Sequence, residues 1–454
     1  MISATTLCKE LLNVNGLVVD DADFFTNKYG ELCILIKVHL RKGLQWKCPV
    51  CGKRYTRIYD APYEHKRWRA LDFGGILVYI EAYLPRICCK EHGVKTADVP
   101  WAFPNSNFTK DFDYTVTWMG KYLSRSAISK YMRIDWRTVG RCIARVHEDL
   151  EPDVNVRLDG VVKIGIDETS YRKGHSYITV VVNHETNTVI WAAKNHGKSV
   201  LQKFCEQLTP EQRASVKVVT GDGAQWITDC VREYFPNAER CVDPFHVVEW
   251  ATEALDKVRV AAWRRAQEDA KAVAVSRGKG RPRKDDTEAQ IAAAARKKAD
   301  QIKKSMYSLG KAPEHLTSNQ AVRLEMIAKS DNQLYRAYLL KEKLRLIFQI
   351  DDVDEAEQEL IAWVKWARHC RIPEFVELQR KIMRHKDHIL NTIRLDVSNA
   401  RIEATNNKIK LLIRQAYGFR DVDNMIHMVM LYCSDLKIPL PNRGTRRGGF
   451  SQAA

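Results

Sequence analysis

The spacing of hydrophobic residues divides the chain into a β-rich part and a helical part. Up to Val242, β-branched and aromatic residues form short runs that are bounded by glycine and polar residues, a pattern typical of strands. A helical pattern interrupts them between Thr109 and His147. From Asp243 to about Ile393, apolar residues recur every three or four positions, which predicts helices. The pattern therefore predicts a mixed α/β protein with a long helical segment.

Three of the predicted strands end in a carboxylate. A β-branched run from Val161 to Ile166 leads into Asp167 and returns through 177–182, which predicts a hairpin. A second strand ends at Asp222, between two glycines, and a third ends at Asp243. A charge at the tip of a buried strand is costly unless it is paired or binds a cation, so we expect Asp167 to be the first ligand of a catalytic metal site. Sequence alone does not establish that the strands of Asp167 and Asp222 are neighbours.

The segment from Asp243 to His246 has two interpretations. Asp243 is well placed to cap a helix that begins at Pro244, and capping alone would explain it. Asp243 is also the alternative to Asp222 as the second carboxylate beside Asp167. We prefer Asp222 because its glycine-flanked turn exposes the carboxylate. His246 would lie in the first helical turn, with either a catalytic role or a structural hydrogen bond.

The last distinctive motif, Ser398 to Phe419, predicts a helix capped by Ser398 or Asn399. Its apolar residues fall on one face, and a polar face carries Glu403, Asn406, Asn407, Lys410 and Arg414. An acid beside amides and cations suits a metal ligand next to phosphate contacts. The alternative is a set of surface salt bridges.

Residues 1–100 predict a β-rich unit with a zinc ribbon. Two knuckles, C-x2-C and C-x2-H, lie beside predicted strands at 32–40 and 76–84, and this spacing is typical of tetrahedral zinc ligation. We assign the ligands as Cys48, Cys51, Cys89 and His92. Cys88 remains an alternative to Cys89, since adjacent strand residues point to opposite sides. Four protein ligands leave no open position, so the predicted site is structural.

Between 124 and 147 the pattern resembles a helix-turn-helix. A short helix at 126–132 precedes a turn, and Asp135 is expected to cap a recognition helix at 136–146. Arg137, Arg141 and Arg145 recur along this helix and are predicted to face outward toward DNA. An ordinary helical pair with a basic face is the alternative.

Two other basic segments are candidates for DNA contact. The stretch 64–69 is predicted to be a DNA-contacting loop or a solvated turn. Lys279, Arg281 and Arg283 lie in a Gly/Arg/Pro-rich segment that resembles an AT-hook, although a flexible basic linker without sequence preference is favoured.

Composition agrees with a nucleic-acid partner. The 454 residues carry a formal net charge of +17, with pI near 9.3, which favours a polyanion. No run of about 18 apolar residues occurs, so no transmembrane helix is expected. The first residues lack a secretion pattern, so a cytoplasmic protein is expected. In that compartment the 12 cysteines would stay reduced.

Taken in order, these motifs resemble the bacterial insertion-sequence transposases of the ISL-three family. The most specific parts are Asp-Pro-Phe-His at 243–246 and Glu-x2-Asn-Asn-Lys-x-Lys at 403–410, and the resemblance covers nearly the whole chain. It implies an α/β RNase H-like catalytic core with a large all-helical insertion, preceded by a zinc ribbon and a helix-turn-helix domain. It also implies that Asp167, Asp222 and Glu403 form the acidic triad, supported by Asp243 and His246.

The resemblance implies the following domain limits: 1–100 zinc ribbon, 101–155 helix-turn-helix, 156–250 and 394–435 catalytic core, 251–393 helical insertion with basic linker, and 436–454 tail. We expect two Mg²⁺ or Mn²⁺ ions per active site and one structural Zn²⁺. The expected partner is double-stranded DNA, as terminal inverted repeats and as target, bound by a homo-oligomer. A DNA-binding regulator with a decayed catalytic fold and a structure-specific nuclease are the alternative functions.

Overall fold

A computed structural model describes residues 4–12, 14, 17–41, 46–60, 65–151, 153–172, 174, 176–276, 287–397, 400–419 and 421–440, without the side chains of 154, 273–276, 288, 289 and 400–403. The chain divides into two compact units. The first comprises Met1–Val154, Tyr171–Lys173 and Lys408–Ala454, and the second comprises Asn155–Ser170 and Gly174–Asn407. Within the described residues, no helix combines the length and the apolar character needed to cross a membrane.

The first unit opens with a helix and eight strands. These are α1 (Ala4–Leu12), β1 (Leu17–Thr26), β2 (Leu32–Leu40), β3 (Trp46–Lys47), β4 (Arg54–Tyr55), β5 (His65–Arg69), β6 (Leu77–Tyr83), β7 (Arg86–Cys89) and β8 (Gly93–Thr96). Four of them form a sheet in the order β1-β2-β6-β5, whereas β3-β4 and β7-β8 form two separate hairpins. The predicted strand at 32–40 is confirmed as β2, and the one predicted at 76–84 is one residue shorter at each end.

The basic stretch predicted as a loop or turn is instead a strand. His65–Arg69 forms β5 and pairs antiparallel with β6, while Glu64 lies outside the described residues. Trp68 is 1% exposed because its ring packs edge-on against Trp101, with 5.4 Å between the ring centroids. Burial of a large aromatic ring of this kind outweighs the polar character of its neighbours.

The helix-turn-helix prediction is confirmed at the level of its elements. Three helices follow the sheet: α2 (Lys110–Gly120), α3 (Arg125–Met132) and α4 (Trp136–Leu150). The Asp135 side chain accepts a hydrogen bond from the Arg137 backbone N–H, as the predicted cap should. Arg133 ends α3 in the left-handed region, with φ of 53°, which allows the sharp turn into α4.

A five-stranded mixed sheet forms the centre of the second unit. Its elements are α5 (Val154–Leu158), β9 (Lys163–Arg172), β10 (Ser176–Asn183), β11 (Thr188–Lys194), α6 (Lys198–Gln207), α7 (Pro210–Ser215), β12 (Val218–Gly221), α8 (Gln225–Tyr234) and β13 (Glu239–Val242). The strand order is β11-β10-β9-β12-β13. The β10–β11 pair is antiparallel, and β12 runs parallel to both β9 and β13.

The expectation that the first strand ends at Asp167 is wrong. Strand β9 continues to Arg172 because β10 remains its hydrogen-bonded neighbour on one side. On the other side, the pairing with β12 ends at Thr220 and Gly165. Asp167 therefore lies where β9 has lost one neighbour, and its side chain stands at the edge of the parallel part of the sheet.

The predicted helical segment is confirmed. It contains α9 (Pro244–Ser276), α10 (Thr287–Lys303), α11 (Met306–Gly310), a 3-10 turn (Pro313–His315), α12 (Ser318–Ser330), α13 (Asn332–Ile347), α14 (Val353–His369), α15 (Pro373–Arg384) and α16 (Lys386–Arg394). Buried apolar residues from α9, α13, α14 and α15 form its core, which includes Trp363 at 1% exposure. Two helices follow, α17 (Ala400–Gln415) and α18 (Val422–Cys433). In the first unit, α18 packs on α4.

Candidate active site and zinc centre

The two small hairpins of the first unit bring four metal-type ligands together. One ligand atom from each of Cys48, Cys51, Cys89 and His92 lies within 4.8 Å of all the others. In the described part of the chain, no other group of three or more His, Cys, Asp or Glu side chains has its ligand atoms this close together. Gly52 has a φ of 67°, and its N–H donates to the Cys48 carbonyl, so a glycine closes the first knuckle.

The choice between the two adjacent cysteines is decided by the direction of β7. Cys89 is buried, with its Sγ 3.5 Å from His92 Nδ1 and 3.7 Å from Cys51 Sγ, whereas Cys88 is exposed. The Tyr55 hydroxyl donates to Cys89 Sγ at 3.1 Å, and this hydrogen bond, together with others from Glu91 and His92, lowers the pKa of the Cys89 thiol to about 5. A thiolate is the form that ligates zinc, so the arrangement fits a Zn²⁺ ion.

In the second unit, three aspartates lie on or directly after adjacent strands of the sheet: Asp167 within β9, Asp222 after β12 and Asp243 after β13. The parallel register pairs Thr220 with Gly165 and Gly221 with Val242. Continuing that register along the chains sets Asp222 level with Asp167 on one side and with Asp243 on the other. The parallel register of β9, β12 and β13 thus sets level three acids that are far apart in sequence.

Asp167 is held by the helix that carries the closing motif. The Asn406 side-chain amide donates to Asp167 Oδ2, and the Thr169 hydroxyl donates to Asn406 Oδ1 at 3.0 Å. Burial raises the pKa of Asp167, and the Asp222 carboxylate raises it further, while His246 and Asn406 oppose the change. Helix α17 therefore returns to β9, and Asn406, which is 6% exposed, provides the contact.

Glu403 lies on the same helix, three residues before Asn406. The structure describes the backbone of Glu403 as part of α17 but not its side chain. Farther along α17, three of the predicted DNA-contacting residues are exposed: Asn407, Lys410 and Arg414.

Asp243 has the predicted capping role. Its Oδ1 accepts a hydrogen bond from the Phe245 N–H at 3.0 Å, and its side chain is only 10% exposed. The Asp222 Oδ1 accepts from the Ala224 N–H at 2.9 Å in a similar way. His246 Nε2 lies 4.0 Å from Asp243 Oδ2, and its Nδ1 lies 3.1 Å from Glu249 Oε2. His246 therefore stands beside the acids, close to two carboxylates.

Buried groups that sequence reasoning missed hold the Asp222 turn in place. Arg240, which is 5% exposed, donates to the backbone carbonyls of Val219, Cys241 and Asp222, and burial lowers its pKa to about 10. The position of Arg240 in an otherwise apolar strand could have revealed this role in the sequence, because a buried cation must find acceptors. On the other side of the turn, a Cβ atom at Gly223 would lie 2.3 Å from the Trp250 ring, so the ring packs directly on the glycine backbone.

Glu168 is a second missed residue. Its Oε1 accepts from the Gly197 N–H at 3.3 Å, and its Oε2 lies 3.7 Å from His196 Nδ1. Burial raises the pKa of Glu168, and both Asp222 and Asp167 add to the effect. Its position directly after Asp167 was the signal that could have drawn attention to it.

The prediction that Arg145 faces DNA is wrong. Arg145 donates two hydrogen bonds, at 2.7 and 2.8 Å, to the carboxylate of Asp113, which is 0% exposed. A buried carboxylate needs a cationic partner, and α2 packs so closely on α4 that Arg145 supplies it. Arg137 and Arg141 are exposed on α4. The segment with Lys279, Arg281 and Arg283 lies outside the described residues.

Three family models of transposases match the chain in the order of the domains described above. A family model described as a zinc finger of the transposases IS204/IS1001/IS1096/IS1165 matches residues 44–92. The helix-turn-helix domain of transposase family ISL3 matches residues 97–147. The DDE model of the same family, described as a transposase, matches residues 164–429. The predicted order of zinc ribbon, helix-turn-helix and catalytic domain is thereby confirmed.

Two curated relatives extend the comparison over most of the chain. The transposase for insertion sequence element IS1557 of Mycobacterium tuberculosis is 41% identical over 442 residues, which are 96% of this chain and 97% of the relative. The transposase for insertion sequence element IS1001 of Bordetella parapertussis is 24% identical over 82% of this chain and 85% of the relative. The zinc-finger match and the Cys/His cluster together support a structural zinc ion. The chain belongs to the ISL3 family of transposases, with a helix-turn-helix DNA-binding domain and a DDE catalytic domain.

Proposed function

We propose that this transposase cleaves DNA at the ends of its insertion sequence and joins the freed 3′ ends to target DNA, with Asp167, Asp222 and Glu403 as its catalytic acids. The observation that carries the proposal is the contact between Asn406 and Asp167, which links the Glu403 helix to the strand of the first acid. The level positions of Asp167 and Asp222 on neighbouring parallel strands support it.

The donor set fits divalent cations. Carboxylate oxygens are the ligands that Mg²⁺ and Mn²⁺ prefer, and each carboxylate retains acceptor capacity beyond one or two hydrogen bonds. Burial of Asp167 next to the like charge of Asp222 is unfavourable without a cation, as the raised pKa of Asp167 indicates. Asp167, Asp222 and Glu403 would hold the ions. When bound, a pair of such ions activates the attacking oxygen and stabilises the leaving oxygen in displacement at phosphorus.

The remaining residues orient this site. Asn406 fixes the Asp167 carboxylate through Oδ2, and Arg240 fixes the backbone of Asp222. Asp243 caps α9 and sets His246 beside the acids. Water would attack the phosphodiester at the element end, which breaks its P–O3′ bond, frees the element's 3′-hydroxyl and leaves a 5′-phosphate on the flanking DNA. That 3′-hydroxyl would then attack a phosphodiester of target DNA, with a target 3′-hydroxyl as leaving group, so neither step needs a covalent enzyme intermediate.

DNA recognition would be divided among the other parts of the chain. The exposed Arg137 and Arg141 of α4 and the zinc ribbon would bind the terminal inverted repeats, while the basic segment around Arg281 would hold flanking or target DNA. Because two element ends react together, we propose a homo-oligomer on DNA. The domain limits given above remain predictions.

The test is cleavage of a duplex that carries the inverted repeat flanking the gene, in Mg²⁺. We expect Asp167→Asn, Asp222→Asn and Glu403→Gln each to abolish cleavage, since each removes a charged ligand, while DNA binding of the zinc-loaded protein, measured without Mg²⁺ or Mn²⁺, persists. Asp229→Asn is the matched control, because Asp229 is a carboxylate of the same unit that pairs with Arg232 on the surface of α8. Full activity of Glu403→Gln would remove Glu403 from the proposal.

The products distinguish this proposal from its alternatives. Joined donor–target DNA supports a transposase reaction, whereas cleavage without joining would indicate a nuclease. Intact biological activity in all three acid variants would instead indicate a regulator that does not use this site.

A further inference from the structure

The end of helix α15 carries a basic strip in the helical insertion. Arg380, Lys381 and Arg384 lie in its last two turns, with both arginines exposed and Lys381 half-buried. In the part of the chain that the structure describes, none of the three forms an ion pair within 4.0 Å. Neighbouring Lys386, by contrast, pairs with Glu357. The strip therefore differs from the usual paired charges of a helix surface.

Lys381 is connected to the turn of the catalytic Asp222 through one aromatic ring. Its Nζ lies 3.6 Å from the centroid of the Trp250 ring. The same ring packs directly on Gly223, where a Cβ atom would lie 2.3 Å from it. A glycine next to Asp222 thus lets Trp250, and with it the ammonium group of Lys381, come close to the acids.

The surroundings of Lys381 are acidic but do not neutralise it directly. Burial lowers the pKa of Lys381, while Glu253 and Asp222 act on it electrostatically in the opposite direction. Arg384, one turn later, adds a second positive charge that also acts on Lys381. A partly buried ammonium group on an aromatic face has lost water, and a phosphate oxygen would restore a strong partner.

A DNA strand that approaches three carboxylates meets electrostatic repulsion, which a nearby cation reduces. We propose that Lys381, together with Arg384, binds a phosphate group of the DNA strand that leads to Asp222, so that the helical insertion supplies part of the substrate site. This role rests on the proposed function, because it takes Asp222 to lie at the reaction centre. It is independent of which ions bind there.

The experiment measures binding of the full, zinc-loaded chain, in buffer without Mg²⁺, Mn²⁺ or chelator, to a fluorescent duplex that contains the inverted repeat and its flanking DNA. The variant is Lys381→Met, which keeps an apolar stem on Trp250 and removes the charge. We expect the slope of log Kd against log salt concentration to fall by about one, with weaker binding at low salt, because one phosphate contact is lost. Lys381→Arg should restore most of the slope.

Lys365→Met is the matched control, since Lys365 is an exposed lysine of the same insertion, on α14, without an ion pair among the described residues. It removes the same charge, and its slope should stay at the wild-type value. An unchanged slope in Lys381→Met would overturn the inference, as would an equal loss in Lys365→Met, which would indicate net charge alone. Thermal melting of each variant excludes misfolding, because a variant that melts like wild type but binds differently has lost a contact. Failure of the proposed function would appear separately, as cleavage by Asp222→Asn.

Discussion

The zinc centre and the row of acids are both sets of metal-type ligands, but they are built over very different lengths of chain. The zinc ligands lie on two hairpins between Cys48 and His92, and within each knuckle two residues separate the ligands. The acids stand at position 167 within β9, at position 222 directly after β12, and at position 403 on α17, the helix that follows the whole insertion. Local turn geometry is enough to form each zinc knuckle, whereas the acids depend on sheet register and on the return of α17.

This difference predicts whether a substitution at each site affects mainly the folding or mainly the reaction. The hairpins that carry the zinc ligands have a small core, formed in the described residues by Cys48, Ile87, Cys89 and Ala97 with three partly buried neighbours. Such a core gives little folding energy, so the metal must contribute. The acids are attached to a sheet that is already stable, and substitutions there should affect the reaction more than the fold.

The largest expected effect comes from removing a zinc ligand. We expect Cys89→Ser to release zinc and unfold both hairpins, because the apparent free energy of zinc binding in small structural sites is about 10–16 kcal/mol and acts as folding energy. Zinc content and protease sensitivity of the purified protein measure it. Cys88→Ser should retain zinc, since Cys88 is exposed outside the cluster. Loss of zinc from the Cys88 variant instead would reverse the ligand assignment.

Two arginines on helix α4 also differ in whether they serve folding or DNA binding. Arg145→Ala should lower the free energy of unfolding by about 3–5 kcal/mol, because it leaves the buried Asp113 carboxylate without its cation. Arg141→Ala should leave the free energy of unfolding within about 0.5 kcal/mol and weaken DNA binding. Denaturant melts and DNA titrations measure both variants. A stable Arg145→Ala protein with impaired DNA binding would restore the original prediction for Arg145.

A substitution at Asn406 tests whether α17 orients the carboxylate of Asp167. Asn406→Ala should reduce single-turnover cleavage by about 10–100-fold, as loss of a residue that orients a metal ligand does. It should also cost about 1–3 kcal/mol of folding stability, because Asp167 and Thr169 lose a buried partner. Asn407→Ala, at the exposed next position, should keep wild-type stability and chemistry and affect only DNA binding. Unchanged cleavage in Asn406→Ala would show that the site does not need this contact.

The smallest expected effect concerns the corresponding orienting group of the zinc centre. Tyr55→Phe removes the hydroxyl that donates to Cys89 Sγ, so the pKa of Cys89 should rise and zinc affinity should fall about tenfold. Competition with a chelator of known affinity measures the change, with the protein remaining folded when zinc is in excess. Tyr29→Phe, which removes the hydroxyl of an exposed tyrosine outside the cluster, is the matched control and should leave zinc affinity unchanged.

Much of the fold was predictable because it follows from short segments. The alternation in Leu32–Leu40, the capping residue Asp135 and the periodicity after Asp243 each predict an element that the structure contains. The errors came where a partner distant in sequence decides the outcome. Pairing with β6 makes 65–69 a strand, on which Trp68 packs against Trp101, and Asp113 draws Arg145 away from solvent.

What the sequence by itself determined about this protein is its local chemistry: the zinc knuckles, the helix-turn-helix, and β strands that carry an acid within them or directly after them. Turns, caps and side-chain periodicity involve residues a few positions apart, so they can be read from the chain. Only the tertiary structure decided which acids stand level, through the parallel pairing of β12 with β9 and β13. It also decided that α17 returns to Asp167 through Asn406, because contacts over such distances depend on how the whole sheet and the insertion pack.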